Sequence, residues 1–360
     1  MIRYTGPRGL MIPVIDNILG FFSLDLGVDL GTANTLIYVG GKGVVIREPS
    51  IVAINKKTKK IVAIGEVAKK MIGRTPLNIT TVRPLKDGVI SDFDTTLSML
   101  SYFVKKVHRR PGQKFNLPRP RIVIGVPSQV TEVERRALLD VAAEAGGREA
   151  YLVEEPMAAA IGADLPVDEA VGSLIVDIGG GTCEIAVVSL GGIVVGKSLK
   201  LAGDRMDADI VSYVRTRYGL ALGEKTAEEV KISLGSAYPV SVEKQMIVRG
   251  QDLEKGLPKS VKLTSSQVRE ALAPTLNTIV NAIKDIINDA PPELTADIAE
   301  RGITLAGGGA MLAGFAKLVS AETKMPVTVA AEPLSTVVFG CAKLLASREL
   351  LERVKIAKWS

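Results

Sequence analysis

Two short stretches, Asp29-Leu-Gly31-Thr32-Ala33-Asn34 and Asp177-Ile-Gly179-Gly180-Gly181-Thr182, lie 148 residues apart and share one construction. In each, a β-prone run ends in an aspartate, a turn of small residues follows, and a second β-prone run begins at once. SLDLGVDL, TLIYVG and VVIREPSIVAI make one set of three such runs. LIVDI, CEIAVVSL and IVVGKSLKL make the other. Both sets are followed by helical and strand-like patterns in alternation. A duplicated α/β chain with a cleft between its halves is the economical reading.

A single tip of this kind reads as an ordinary β-turn with a solvent-facing aspartate. The matched pair points to phosphate. Backbone amides of small residues approach an anion closely, and two facing tips can pinch a polyphosphate while Asp29 and Asp177 hold a hydrated Mg2+ through its water. A third cluster, Gly307-Gly308-Gly309, follows a strand-like run and is expected to open a helix. As a further wall of the cleft it offers bare backbone to a flat nucleoside. Glu155 stands where the run YLVEE meets Pro156, a residue suited to the first turn of a helix. A carboxylate there can orient or deprotonate a water that attacks a terminal phosphate. Ala158 to Ala160 behind it permit close packing between halves.

Gly191-Gly-Ile-Val-Val-Gly196-Lys197-Ser198 matches the GxxxxGK[ST] pattern but is set aside. That pattern needs a loop opening a helix whose N-terminus meets the phosphate. Here apolar alternation continues through Leu199 and Leu201, so the segment is a strand and Lys197 a surface residue.

The 360 residues are 47% apolar with a mean hydropathy of +0.25, enough to bury sizeable cores. No uninterrupted apolar run reaches the about 18 residues of a membrane span. One histidine and two cysteines make multi-histidine zinc sites, histidine triads and a disulfide framework poor expectations. Cys183 and Cys341 read as small buried thiols. The net charge of +6 is concentrated: no acidic residue lies between Asp94 and Glu132, while Lys105, Lys106, Arg109, Arg110, Lys114, Arg119 and Arg121 fall in that window. Aromatics are 4%, which disfavours stacking platforms for single-stranded nucleic acid. Phe115 and Leu117 sit among these cations in a proline-bounded loop. Residues 11–22 form an amphipathic helical pattern with Met11, Val14, Ile15, Ile18, Leu19, Phe21 and Phe22 on one arc. Apolar residues beside cations suit an anionic lipid surface, and nucleic acid is not an expected partner.

These residues resemble the actin, Hsp70 and sugar-kinase superfamily. Within it, the chain is similar to the bacterial actin (MreB) family from about Leu24 to Ser347, through VDLGTANTLIY, RPLKDGVISDF, VERRA, EEPMAAAIGA, VDIGGGTCE, LAGDRMD, GEKTAEEVK and LAGGGAML. The resemblance implies an α/β actin-like ATPase fold, two RNase H-like domains each with a small subdomain around Mg2+-ATP. By it, domain IA takes 23–52, 85–165 and 330–348, and subdomain IB takes 53–84. Domain IIA takes 166–201 and 265–329, and subdomain IIB takes 202–264. An N-terminal extension (1–22) and a C-terminal tail (349–360) flank them.

It also implies roles. Asp29 and Asp177 face the metal; Gly31, Thr32, Ala33 and Asn34, with Gly179, Gly180, Gly181 and Thr182, face phosphate. Glu155 activates water, assisted by Thr182. Glu228, Lys231, Gly307, Gly308 and Gly309 contact adenosine. Cys183 stands where the family commonly has a second threonine. Implied partners are further copies of the chain in paired protofilaments, the inner face of the cytoplasmic membrane, and the cell-wall elongation machinery. The sequence offers no separate acceptor site of the kind a sugar kinase needs.

Overall fold

The computed structural model describes residues 24–108 and 119–359. The expected membrane contacts Ile15, Ile18, Leu19, Phe22, Phe115 and Leu117 lie outside those residues.

Two sheets carry the molecule, and their topology repeats. In the first, three strands run antiparallel in succession, Leu26–Leu30, Asn34–Val39 and Gly43–Pro49. Arg121–Val126 then pairs parallel to Leu26–Leu30, and Glu149–Glu154 pairs parallel to Arg121–Val126. In the second sheet Ser173–Ile178, Cys183–Ser189 and Gly192–Leu199 form the same antiparallel succession. Ile303–Ala306 and Val327–Val329 follow in parallel. The spatial order is therefore the same in both: third, second, first, then the two parallel strands. Asp29 and Asp177 are each the penultimate residue of the first strand, so the duplication seen in sequence is also a duplication in register.

Why these runs are strands is visible in their burial. Ser173–Ile178 is buried at every residue, as a central strand covered on both faces must be, and its sequence SLIVDI is correspondingly apolar. Gly192–Leu199 alternates between exposed and partly buried residues, as an edge strand with one wet face does. Lys197 lies on that strand and pairs with Asp285 at 3.0 Å, so the GxxxxGK[ST] match is a strand and no phosphate loop.

Smaller sheets stand on each half. Ile61–Ile64, Val52–Asn55 and Ile79–Val82 form one; Leu220–Ala221, Gln245–Asp252 and Pro258–Thr264 form another. One apolar cluster fills each half, and a third lies between them. That third cluster surrounds the crossing of helices Glu155–Gly162 and Thr336–Ala346, where Gly340 meets the Ala158 backbone directly and Ala158, Ala159 and Ala160 are fully buried. Thr131 and Glu134 cap helix Glu132–Glu144 reciprocally.

Two expectations are corrected. Residues 349–360 are no free tail through Trp359: helix Arg348–Val354 buries Leu351, and Ala357–Trp359 adds an antiparallel edge strand to the first sheet against Ala150–Leu152. The glycines at 307–309 do not open an α-helix. They enter a single 3-10 turn, Gly308–Met311, and the next helix starts at Phe315. Gly307 itself has φ +77, outside helical backbone.

Candidate functional site

The two hairpin tips meet. A Cβ added at Gly180 would lie 2.5 Å from the Cβ of Ala33, and one at Gly181 would lie 2.6 Å from Thr32 Oγ1. No side chain fits at either position without parting the tips. Each tip is also braced from its own half. Ser50 donates its hydroxyl to the Gly31 carbonyl (2.7 Å) and its N–H to Ala33 O (3.0 Å). Gly179 N–H donates to Thr182 O at 2.9 Å, closing the second turn. Gly88 N–H donates to Thr32 Oγ1 at 2.8 Å.

Other segments converge on the second tip. The helix Gly203–Tyr218 starts against it, with Asp204 N–H donating to Gly180 O at 2.8 Å. Lys231 donates from Nζ to Gly203 O (2.8 Å) and to Asp207 Oδ2 (2.9 Å), which holds its ammonium beside the same turn. Gly307 and Gly309 press against Ile178, and a Cβ at Gly307 would lie 2.5 Å from Asp177 Oδ1. Thus the first tip, Lys231, Gly307 and Gly309 all gather about the second tip and the strand that leads into it.

Carboxylates form the floor of the site. Asp29 lies level with Gly125 on the neighbouring parallel strand, and the Glu155 side chain passes 3.6 Å from where a Gly125 Cβ would sit. Glu155 is the first residue of its helix, directly after the strand ending at Glu154, as the sequence predicts. Burial pushes the Asp29 carboxyl up to about 7. Burial, then the charges of Asp29 and Glu184, push Asp177 up to about 8. Glu155 is raised well above the ordinary carboxylate range by burial and by Asp29, Glu184 and Asp177. These groups repel one another with no lysine or arginine among the causes of their shifts, so the floor favours a bound cation.

Among the described residues no three His, Cys, Asp or Glu side chains are grouped so as to chelate a metal directly. Asp29 and Asp177, the residues expected to face the metal, both lie in this acidic group. Both thiols are buried, and burial pushes them up, so neither is a nucleophile.

Glu228 lies farther out. Its carboxylate pairs with Lys69 at 2.8 Å, and Arg83 approaches Asp204 at 3.5 Å. Lys69 and Arg83 belong to the first half, Glu228 and Asp204 to the second. The pairs bridge the cleft mouth above a cavity of about 420 Å3, which Asp207 also lines.

Glu184 escaped the reading of the sequence. It is the only charged residue in the strand CEIAVVS, is 1% exposed, and stands opposite Asp177 in the antiparallel pair. A lone acid in an otherwise apolar, fully buried strand was the available signal.

The repeated sheets and the crevice between their first hairpins define an actin-like protein. Over 92% of this chain and 98% of the other, the fold superposes on MreB5 of Spiroplasma citri bound to ADP with a TM-score of 0.86 at 37% identity. The MamK double helical filament subunit, at 24% identity and a TM-score of 0.75, shares the fold over 90% of this chain and 99% of its own. The MreB/Mbl protein family profile matches residues 23–353, and the chain belongs to that family. It is 51% identical to the cell shape-determining protein MreB of Escherichia coli K12, over 91% of this chain and 94% of that protein. Identity to Mbl of Bacillus subtilis 168 is 44%, over 93% of this chain and all of that protein.

Proposed function

We propose that this chain is an ATP-dependent actin-like cytoskeletal protein that polymerises into membrane-associated filaments and organises cell-wall synthesis to maintain cell shape. The observation that carries the nucleotide reading is the contact of Gly180 and Gly181 with Ala33 and Thr32, two matched tips at one crevice. A relative of 38% identity, MreB5 of Spiroplasma citri, is known bound to AMPPNP, and the filament of MamK supports self-association.

In this reading the amides of Gly31 to Asn34 and of Gly179 to Thr182 cradle the phosphates. Gly307, Gly308, Gly309, Lys231 and Glu228 border the adenosine. Asp29 and Asp177 would hold Mg2+ through its water, which would supply positive charge against the phosphates in a floor otherwise crowded with carboxylates. Glu155, assisted by Thr182, orients the attacking water in line with the bond to the departing ADP and takes its proton. This hydrolysis to ADP and phosphate is slow and coupled to polymerisation. A γ-phosphate touching both tips favours the closed cleft, and its loss lets the halves part, a shift of population between two states.

The fourfold division into IA, IB, IIA and IIB follows from the same reading, with the helix and edge strand at 348–359 joined to IA. Filaments would lie in the cytoplasm on the inner membrane face, in paired protofilaments, in contact with the cell-wall elongation machinery. Among the described residues no helix is long and apolar enough to cross a membrane. Surface attachment then falls to residues 11–22 or the 111–120 loop.

Glu155→Ala should bind Mg2+-ATP and hydrolyse it at least 100-fold more slowly; hydrolysis at the wild-type rate ends the assignment. Nucleotide-dependent pelleting on anionic liposomes, with electron microscopy of the pellet, tests the rest. Deleting 1–22 and neutralising Lys105 to Arg121 should abolish pelleting, and unchanged pelleting would discard the membrane contact.

A further inference from the structure

Glu184 is a buried acid to which the mechanism above gives no task. Its Oε2 accepts from the Ser128 N–H at 3.3 Å, and the Ser128 hydroxyl reaches the same carboxylate. Its Oε1 accepts from the Ser198 hydroxyl at 2.5 Å. Ser198 lies on the neighbouring strand of the second half, whereas Ser128 belongs to the first half, two residues beyond the strand Arg121–Val126.

That strand end is the wall behind the reacting centre. Gly125 is the register partner of Asp29 and lies against the Glu155 side chain. Pro127, next to Ser128, and Thr182 both crowd Gly88: a Cβ added there would lie 2.3 Å from Pro127 Cγ and 3.2 Å from Thr182 Cγ2. A carboxylate of the second half thus grips the far end of the strand segment that sets where Glu155 stands.

We infer that Glu184 is a positioning residue for hydrolysis: by tying Ser128 to the second sheet it fixes the Gly125–Ser128 wall, and so the placement of Glu155 relative to the phosphates. The inference rests on the nucleotide reading above. Glu184 spends its oxygens on Ser128 and Ser198, and its removal acts through Glu155. Glutamine retains a carbonyl oxygen for the Ser128 N–H and an amide for the Ser198 oxygen. Alanine retains neither.

The test compares wild type with Glu184→Ala, Glu184→Gln, Glu155→Ala and the double alanine variant. Single-turnover phosphate release from Mg2+-ATP is measured alongside affinity for a fluorescent non-hydrolysable ATP analogue. Glu184→Ala should slow release tenfold or more while analogue affinity stays within threefold. Glu184→Gln should restore release to within threefold of wild type. The double variant should be no slower than Glu155→Ala. The inference is overturned if Glu184→Ala is within twofold of wild type while Glu155→Ala is not. It is equally overturned if affinity falls as far as rate, or if the two losses multiply. Wild-type hydrolysis by Glu155→Ala would instead remove the reading of Glu155 on which it rests. Should Glu184→Ala fail to fold, Ser198→Ala leaves the acid in place and releases one of its oxygens. It should slow release about threefold in the wild-type background and not at all with Glu155→Ala; no change in either would overturn the inference.

Discussion

The floor of the crevice and its mouth are closed by different forces. At the floor, over the buried carboxylates, the hairpin turns meet closely: the backbone of Gly180 and Gly181 packs on the side chains of Ala33 and Thr32. At the mouth, long flexible side chains meet across about 420 Å3 of cavity, Lys69 with Glu228 and Arg83 with Asp204, all partly exposed. Packing contacts of the first kind are insensitive to salt and intolerant of added volume. Ion pairs of the second kind are screened and individually weak. On the proposed reading, the floor sets where phosphate sits and the mouth sets how easily the nucleotide leaves.

The largest effect should come from adding volume at the floor. Gly180→Val would drive side-chain carbon into Ala33, and we expect Mg2+-ATP affinity to fall at least 100-fold by calorimetry, with a lowered melting temperature. Wild-type affinity would erase the distinction between the two regions.

Between floor and mouth sits Asp207. Burial pushes its carboxyl up to about 6 against the pull of Lys231, with Glu228 and Asp204 adding to the rise. The folded value lies above the unfolded reference of 3.8, so the stability this group contributes is present at low pH and is lost as pH rises towards and through 6. Wild type should therefore lose on the order of 2–3 kcal/mol between pH 4 and pH 7 relative to Asp207→Asn, read from urea unfolding of both. A difference that stays constant with pH contradicts the assignment.

Smaller still is the expected effect of Lys69→Ala. Nucleotide release, followed by stopped-flow displacement, should quicken about two- to fivefold at low salt, the scale of one partly exposed ion pair. The gap should close at high salt; a gap unchanged by salt would mean that Lys69 acts by packing. Lys197→Ala should leave nucleotide affinity within twofold, since its partner is the exposed Asp285. A tenfold loss would revive the GxxxxGK[ST] reading.

What the sequence disclosed follows the same division. Asp29 and Asp177 with their small-residue turns were legible because hairpins are local and the pattern occurs twice. Glu155 was legible because Pro156 marks the strand–helix junction. The ion pairs Lys69–Glu228 and Arg83–Asp204 were not, because each joins residues more than a hundred positions apart whose codes as single charges are indistinguishable from solvated surface. Glu184 was hidden for a related reason: its partners Ser128 and Ser198 come from two different strand ends. The edge strand Ala357–Trp359 was missed because three residues carry too little periodicity to announce a strand; pairing with Ala150–Leu152 makes it one.

The central claim is that both tips hold the same triphosphate, and hydrogen exchange with and without Mg2+-AMPPNP tests it most directly. The account predicts that amides of Gly31 to Asn34 and of Gly179 to Thr182 slow together, over one range of nucleotide concentration. Protection of one tip alone, or protection elsewhere with both tips unchanged, would contradict it.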